Sequence, residues 1–179
     1  MKVRITLLIL SSLALVACGE DPPAAPRSLS SPAGVSIAQY CVGDLNGQRV
    51  RVAAERCEDG GDIQNGTRVS LGVITNRLRE SLMLVSLSED SLGLVDTNRG
   101  EPGLTGVPVC EGPQDVAVIP QGVLAVVRCD IASTLSVVLL PSRKEIARFE
   151  RAQAPTRMAA SPVDPLFAFT ALGSSDITI

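Results

Sequence analysis

The sequence predicts an all-β fold built from repeated four-stranded antiparallel sheets. Short apolar segments recur along the chain at regular intervals and are separated by polar turns. The 179 residues are 45% hydrophobic, yet only 2% are aromatic and none is Trp. The core must therefore consist of Val, Leu, Ile and Ala, which favours stacked sheets over an aromatic ligand pocket.

The amino terminus has the features of an export signal. Lys2 and Arg4 precede the apolar run ITLLILSSLALVA. That run is too short for a membrane-spanning helix, and its position after basic residues is typical of a signal peptide. It ends at a cysteine in the sequence Leu15-Val16-Ala17-Cys18, which is followed by Gly19.

Residues 15–18 resemble the lipobox of bacterial lipoproteins. The resemblance implies that residues 1–17 are removed, that Leu15-Val16-Ala17 form the cleavage motif, and that Cys18 carries the lipid anchor. Gly19 in place of Asp implies, by the same resemblance, a location at the outer membrane of a Gram-negative cell, facing the periplasm or the exterior. Several acyl chains on one residue anchor stably, at roughly 0.8 kcal/mol per buried methylene. The alternative is a plain secretory signal that happens to contain a cysteine.

The charge of the mature chain limits its partners. Loss of the signal peptide removes Lys2 and Arg4 and takes the net charge from −3 to about −5. Nucleic acids and anionic lipid surfaces are bound by basic faces, so neither is expected as a partner. Residues 18–34 are rich in Pro, Ser and Ala and predict a flexible linker from the membrane to the folded part.

An internal repeat organises the rest of the chain. The segment 73–87 aligns without a gap on 126–140, at an offset of 53. The segment 112–124 aligns in the same way on 154–166, at an offset of 42. The smaller offset gives the length of the unit, and the larger one reflects an insertion in the first copy, within SEDSLGLVDTNRGEPGLTG. The identical pairs are Val73/Val126, Leu82/Leu135, Val85/Val138, Leu87/Leu140, Pro113/Pro155, Ala117/Ala159, Pro120/Pro162 and Leu124/Leu166.

A unit of this length with four short strands is typical of a β-propeller blade. In the complete copy we expect strands near 115–119, 123–128, 135–140 and 145–149, with a hairpin turn at 120–122. The chain holds about two and a half such units, which predicts a partial β-propeller. Because an unclosed array would expose apolar faces and strand edges, we expect the N-terminal piece of a longer protein or a truncated product. An ordinary β-sandwich with similar hairpins is the alternative.

The repeats resemble the YVTN-type repeats of bacterial surface and periplasmic propellers. The YVTN position corresponds to VITN at 73–76, and more loosely to VVRC at 126–129. The VSVID strand of that family corresponds to residues 135–139. The motif lacks its Tyr here, and Ser86 and Leu139 stand at the position of its Asp. The predicted organisation is a signal peptide at 1–17, acylated Cys18 and linker at 18–34, a cysteine-containing β-hairpin region at 35–68, and propeller-like repeats at 69–179.

Four further cysteines suggest two disulfides in an exported protein. Cys41 and Cys57 flank a hairpin with Asn46-Gly47 as its turn. Cys110 ends the outer strand of one predicted blade and Cys129 ends the second strand of the next, so both would lie at the same face of the propeller. We favour Cys41–Cys57 with Cys110–Cys129; free buried thiols and the other pairings are the alternatives.

The side chains offer little support for catalysis. The chain has no His, which removes the usual general base and the commonest transition-metal ligand. The acidic stretch EDGGDIQNG at 58–66 lacks the spacing of a calcium loop, and Glu89-Asp90 is expected in a solvated loop. The sequence therefore indicates no catalytic residue, no metal site and no cofactor.

These observations favour a membrane-anchored binding or scaffold module. Its partner would be a protein or cell-wall ligand, met by the insertion at 88–98 and by the loops near Cys110 and Cys129. An alternative is a fragment of a propeller enzyme, lactonase-like or quinone-dependent dehydrogenase-like, whose catalytic blades lie elsewhere. A second alternative is a truncated product without function.

Overall fold

The computed structural model describes residues 29, 31–57, 62–88, 91–119, 122–151, 153–161, 164, 166–171, 173 and 177–178. Within these ranges the regular structure consists of thirteen β-strands and short 3-10 turns. The strands form three antiparallel sheets. The predicted all-β class is confirmed. The described strands form three open sheets and no closed ring.

Sheet 1 contains the six strands nearest the amino terminus, in the order β2-β1-β3-β4-β5, with β6 also paired to β4. Asn46 and Gly47 join β1 to β2 with positive φ angles of 50° and 78°, the conformation that a tight hairpin turn requires. The strands are β1 Pro32–Leu45, β2 Gln48–Ala53, β3 Gln64–Asn76, β4 Ser81–Ser86, β5 Gly93–Val95 and β6 Val107–Pro108.

Sheet 2 is a four-stranded meander, in the order β10-β9-β8-β7. Each of its strands overlaps one of the four expected from the complete repeat, so the predicted four-stranded unit is confirmed. Sheet 3 repeats the first strands of the unit, in the order β11-β12-β13. The strands are β7 Pro113–Val118, β8 Leu124–Cys129, β9 Thr134–Leu139, β10 Lys144–Glu150, β11 Pro155–Ala160, β12 Phe167–Ala171 and β13 Ile177–Thr178.

The strand registers reproduce both sequence offsets. Every residue pair between β3 and β4, such as Val73 with Leu84, recurs between β8 and β9 at the offset of 53, as in Val126 with Val137. Every pair between β7 and β8 recurs between β11 and β12 at the offset of 42, with the bulge at the same place. The turn residues Glu80 and Ser133, which differ by the larger offset, share the left-handed conformation. The repeat in the sequence is therefore a repeat in three dimensions.

Sheet 1 begins upstream of residues 69–179, the range in which the sequence predicts the repeats. β1 begins at Pro32, inside the predicted linker, and pairs with β3 as β7 pairs with β8. Pro32 and Val35 occupy the same register positions as Pro113 and Val116, both at an offset of 81. β1 therefore stands in sheet 1 where β7 stands in sheet 2. The segment that contains β2 is inserted between β1 and β3. It lengthens the offset between β1 and β7 to 81, so the match between these two strands is hard to find in the sequence.

The central strands of sheet 2, β8 and β9, are buried on both faces. Ala125, Val127 and Val138 pack into the core shared with sheet 1, while Val126 and Leu135 pack with Phe169 in the core shared with sheet 3. A strand covered on both sides can be apolar at every position, which explains the run LSVVLL.

The contact between sheets 1 and 2 brings backbone against backbone at two glycines. A Cβ added to Gly34 of β1 would stand 2.7 Å from the Cα of Asp115 in β7. A Cβ added to Gly122, in the turn before β8, would overlap the carbonyl oxygen of Gln39. Gly122 also has a φ of +66°, which disfavours other residues. These two contacts fix how closely the sheets approach.

No helix in the described part of the chain is long and apolar enough to cross a membrane.

Candidate ligand-binding cleft

A cleft forms where sheet 1 extends beyond sheet 2. β1 and β3 contain 14 and 13 residues, whereas β7, β8 and β9 each contain 6. The turn at Gly122 meets β1 at Gln39, so the part of β1 from Tyr40 to Leu45 runs past the end of sheet 2. The exposed length of sheet 1 forms the floor of a cleft of about 710 Å³. This volume lies in the range typical of small-molecule sites.

The floor of the cleft is aliphatic and its rim carries three guanidinium groups. Val42, Val69, Leu71 and Leu84 from three neighbouring strands form the floor. Arg51 comes from β2, Arg99 from the loop after β5, and Arg143 from the turn after β9. Three separate segments thus place positive charge around one apolar surface.

The insertion in the first repeat forms one wall of this cleft. Leu92 and Leu94 line it, and their exposed fractions are 76% and 42%. Large aliphatic side chains exposed beside a cleft are typical of binding surfaces. The prediction that the insertion at 88–98 forms a binding loop stays a prediction, but the structure places part of it at the cleft. Glu89 and Asp90 lie outside the described residues.

Hydrogen bonds to the Asp96 carboxylate close the loop that forms this wall. Its carboxylate accepts a 2.6 Å hydrogen bond from the Thr105 hydroxyl and further bonds from the backbone N–H groups of Thr105 and Asn98. These donors, the Thr105 hydroxyl foremost, lower the pKa of Asp96 below its ordinary value. Arg143 donates to the Asp96 carbonyl oxygen at 3.1 Å, which ties the loop of sheet 1 to the turn of sheet 2.

Tyr40 places a phenol at the bottom of the cleft. The residue is 7% exposed, and among the described residues its hydroxyl has no hydrogen-bond partner. Burial raises the pKa of this hydroxyl, while the nearby charges of Arg51 and Arg143 lower it by smaller amounts. Tyr40 is the single Tyr of a chain without Trp.

Both favoured disulfides are present in the structure. Cys41 of β1 is joined to Cys57 after β2, with Cα atoms 5.4 Å apart. Cys110 is joined to Cys129 with Cα atoms 5.9 Å apart. Since Cys110 follows β6 of sheet 1 and Cys129 ends β8, the second bridge links sheet 1 to sheet 2. The structure thus has the favoured pairing instead of free thiols or another pairing.

Polar contacts reinforce the same junction. Arg77 donates to Asp130 at 2.9 Å, and these residues occupy equivalent turns of the two repeats. The Cys110 backbone N–H donates to the Ser136 hydroxyl at 3.1 Å, and that hydroxyl donates to Glu145. The Cys110–Cys129 bridge lies at the opposite end of the sheets from the cleft, so the candidate binding loops named from the sequence do not form one surface.

The remaining predicted residues fall into two groups. Cys18 and the cleavage motif Leu15-Val16-Ala17 lie outside the described residues, as does most of the linker. In the acidic stretch, Asp62 forms an ion pair with Arg56, and this hydrogen bond lowers the pKa of Asp62. Within the described ranges no three His, Cys, Asp or Glu side chains are grouped to hold a metal ion.

Sequence analysis missed the residues of the cleft. Tyr40, Arg51, Arg99 and Arg143 are widely separated along the chain and form no motif. The available signal was the match between PAGVSIA at 32–38 and PQDVAVI at 113–119. That match would have revealed β1 as the counterpart of β7 and the residues after it as an extension that β7 lacks.

Comparison with known proteins assigns no family. No protein-family model matches the sequence, and no curated protein matches it. Among solved structures, hydrazine synthase of Kuenenia stuttgartiensis is similar to part of the chain, with 20% sequence identity and a TM-score of 0.48. The similarity covers 57% of this chain and 26% of that one, so the chain spans about a quarter of that protein's length.

Proposed function

We propose that this protein is an exported, lipid-anchored module of β-propeller type whose role is binding. The observation that carries the proposal is the residue-for-residue repetition of strand register through three stacked sheets. Repeated antiparallel sheets that bury both faces against their neighbours are the building principle of propellers.

The outer face of sheet 1 supports a stack that extends beyond the three sheets. Val35 and Ile37 of β1 are 71% and 63% exposed. They occupy the positions that Val116 and Val118 occupy in β7, where the equivalent side chains pack toward sheet 1. An apolar face repeated from sheet to sheet is expected to be covered by one more sheet of the same kind.

The lipid anchor rests on the sequence around Cys18 and on the Pro-, Ser- and Ala-rich composition of the residues that follow it. Anchoring through the amino terminus would hold the sheets near the outer membrane while leaving their loops free to meet a protein or cell-wall ligand. The cleft supports a binding role, because it combines an apolar floor with charged groups on separate segments.

The anchor is tested in a Gram-negative host fed an alkyne-tagged fatty acid. The wild-type protein is expected to carry the tag and to separate with the outer membrane, whereas Cys18→Ser abolishes the tag and the outer-membrane association. Ser12→Ala, a change in the apolar run that keeps the cysteine, serves as the matched control and retains both. A tag that persists in Cys18→Ser, or an unlabelled soluble wild-type protein, would contradict the proposed anchor.

A further inference from the structure

We infer that the cleft of sheet 1 binds a small anionic ligand with an apolar body, a carboxylate attached to an aliphatic or aromatic group. This inference rests on the proposed binding role and names the ligand class for it. It is independent of the lipid anchor.

The charge of the cleft selects an anion. Arg51, Arg99 and Arg143 line it, whereas Asp96 is the one acidic residue among its described lining residues. The Asp96 carboxylate already accepts hydrogen bonds from the Thr105 hydroxyl and the Asn98 backbone N–H. In the described part of the chain, neither Arg51 nor Arg99 has a carboxylate within salt-bridge distance, and Arg99 acts on Asp96 only as the weakest of the influences that lower the pKa of that carboxyl. Guanidinium groups bind carboxylates through paired N–H donors, so these two side chains are available to a ligand.

The position of the cleft in an acidic chain strengthens this argument. The chain carries 16 basic and 19 acidic residues, with a net charge of −3. A local excess of arginine around a single cleft therefore contrasts with the charge of the whole chain. Charge gathered in a cleft with apolar walls attracts ligands of opposite sign more strongly than charge spread over a surface.

The apolar part of the ligand is selected by the floor and the inserted wall. Val42 and Val69, which are partly exposed, line the same cleft as the arginines, and so do Leu92 and Leu94. Since Leu92 and Leu94 are largely exposed, a ligand that covers them gains from the burial of their surface. An inorganic anion would leave this surface wet and is expected to bind weakly.

Tyr40 supplies a polar group between the arginines that would bind the carboxylate and the aliphatic residues that would bind the apolar body of the ligand. The residue is buried to more than nine-tenths and lines the cleft, and its hydroxyl has no partner among the described residues. In the described part of the chain, this hydroxyl is not among the buried polar atoms that lack a partner, so it faces the cleft, where a ligand or water can bond to it. The phenol can donate one hydrogen bond to a bound carboxylate, while Arg51 and Arg143 compensate the negative charge of that carboxylate.

The experiment uses the intrinsic fluorescence of the full-length protein held in a neutral maltoside detergent. Because Tyr40 is the single Tyr and the chain has no Trp, the signal reports on the cleft alone. The probes are hexanoate, its neutral counterpart hexanamide, and inorganic phosphate. We expect saturable fluorescence changes with hexanoate, at a Kd about tenfold or more below the values for hexanamide and phosphate.

Variants connect the signal to the arginines. Arg51→Gln and Arg99→Gln are each expected to raise the Kd for hexanoate by about three- to tenfold, as for loss of one partly exposed charged contact. Arg157→Gln, at an exposed arginine in β11 of sheet 3, is the matched control and leaves the Kd unchanged. Equal affinity for hexanamide would overturn the anionic part of the inference. Equal affinity for phosphate would overturn the apolar part.

The remaining outcomes are also decisive. An equal response of Arg51→Gln, Arg99→Gln and Arg157→Gln would show that binding occurs elsewhere and would overturn the inference. Absence of any saturable response to hexanoate would do the same. If acylation at Cys18 and outer-membrane association are found without hexanoate binding, the ligand class alone fails and the proposed anchor stands.

Discussion

Gly122→Ala tests the packing of sheet 2 against sheet 1 most selectively. Gly122 has a φ of +66°, and a non-glycine residue in the left-handed region costs roughly 1 kcal/mol. A Cβ at this position would also overlap the carbonyl oxygen of Gln39 in β1. The backbone must move to relieve that overlap. Backbone shifts caused by overpacking a protein core cost about 1–3 kcal/mol, and we expect a similar cost here. The free energy of unfolding should therefore fall by about 2–4 kcal/mol in total.

Gly47→Ala separates the two contributions. Gly47 has a φ of +78°, but a Cβ there meets no atom within 4 Å. Its replacement should lower the free energy of unfolding by roughly 1 kcal/mol, the conformational part alone. Both variants are compared with the wild type in urea unfolding, followed by the fluorescence of Tyr40 and by circular dichroism. If Gly122→Ala destabilises the protein no more than Gly47→Ala, sheet 2 does not meet β1 at Gln39 and the stacking described here is wrong.

Three further predictions concern the junction and the cleft. The double variant Cys110→Ala/Cys129→Ala, which opens a bridge of sequence separation 19, should lower the free energy of unfolding by about 3 kcal/mol; an unchanged urea midpoint would contradict the link between the sheets. Burial raises the pKa of the Tyr40 hydroxyl above its ordinary value of 10.0, because the fold favours the neutral phenol. The stability that the neutral phenol contributes is therefore fully present below pH 10.0 and is lost as the pH rises through the folded-state pKa. Spectrophotometric titration should place the phenol above 10.0 and Arg51→Gln should move it higher, whereas a midpoint at or below 10.0 would contradict its burial. Thr105→Val removes the main donor to Asp96 and should raise the pKa of that carboxyl in a carbon-detected NMR titration; an unchanged pKa would show that this hydrogen bond does not hold the loop.

The sequence predicted the repeated unit well because its signals are local or periodic. The offsets of 53 and 42 were visible as aliphatic identities, and the structure gives the same offsets in the strand registers. A shift by a single position would move every side chain to the other face of a sheet, so an apolar pattern fixes register strongly. The Cys41–Cys57 bridge was predictable for a related reason, since the Asn46-Gly47 turn sets the pairing of the two strands.

The cleft could not be predicted, because it depends on differences in strand length and on contacts between distant residues. No local sequence signal indicates that β1 extends past the end of sheet 2 beyond Gln39. Arg143 reaches the Asp96 carbonyl oxygen across 47 positions of the chain, through the packing of two sheets. The extension of β1 was also hidden by the hairpin after it, which displaced Pro32 and Val35 from the offset at which the other copies align.

The strand register in solution is the most direct test of the repeated, stacked sheets. Backbone NOEs on the isotopically labelled protein should pair Val73 with Leu84 in sheet 1 and Val126 with Val137 in sheet 2. They should also pair Ala117 with Val126 in sheet 2 and, at the equivalent position of sheet 3, Ala159 with Ala168. Cross-strand NOEs at all four pairs would support the account. A register displaced by even a single position in one copy would put its apolar residues on the opposite face and would contradict the repeat on which the account rests.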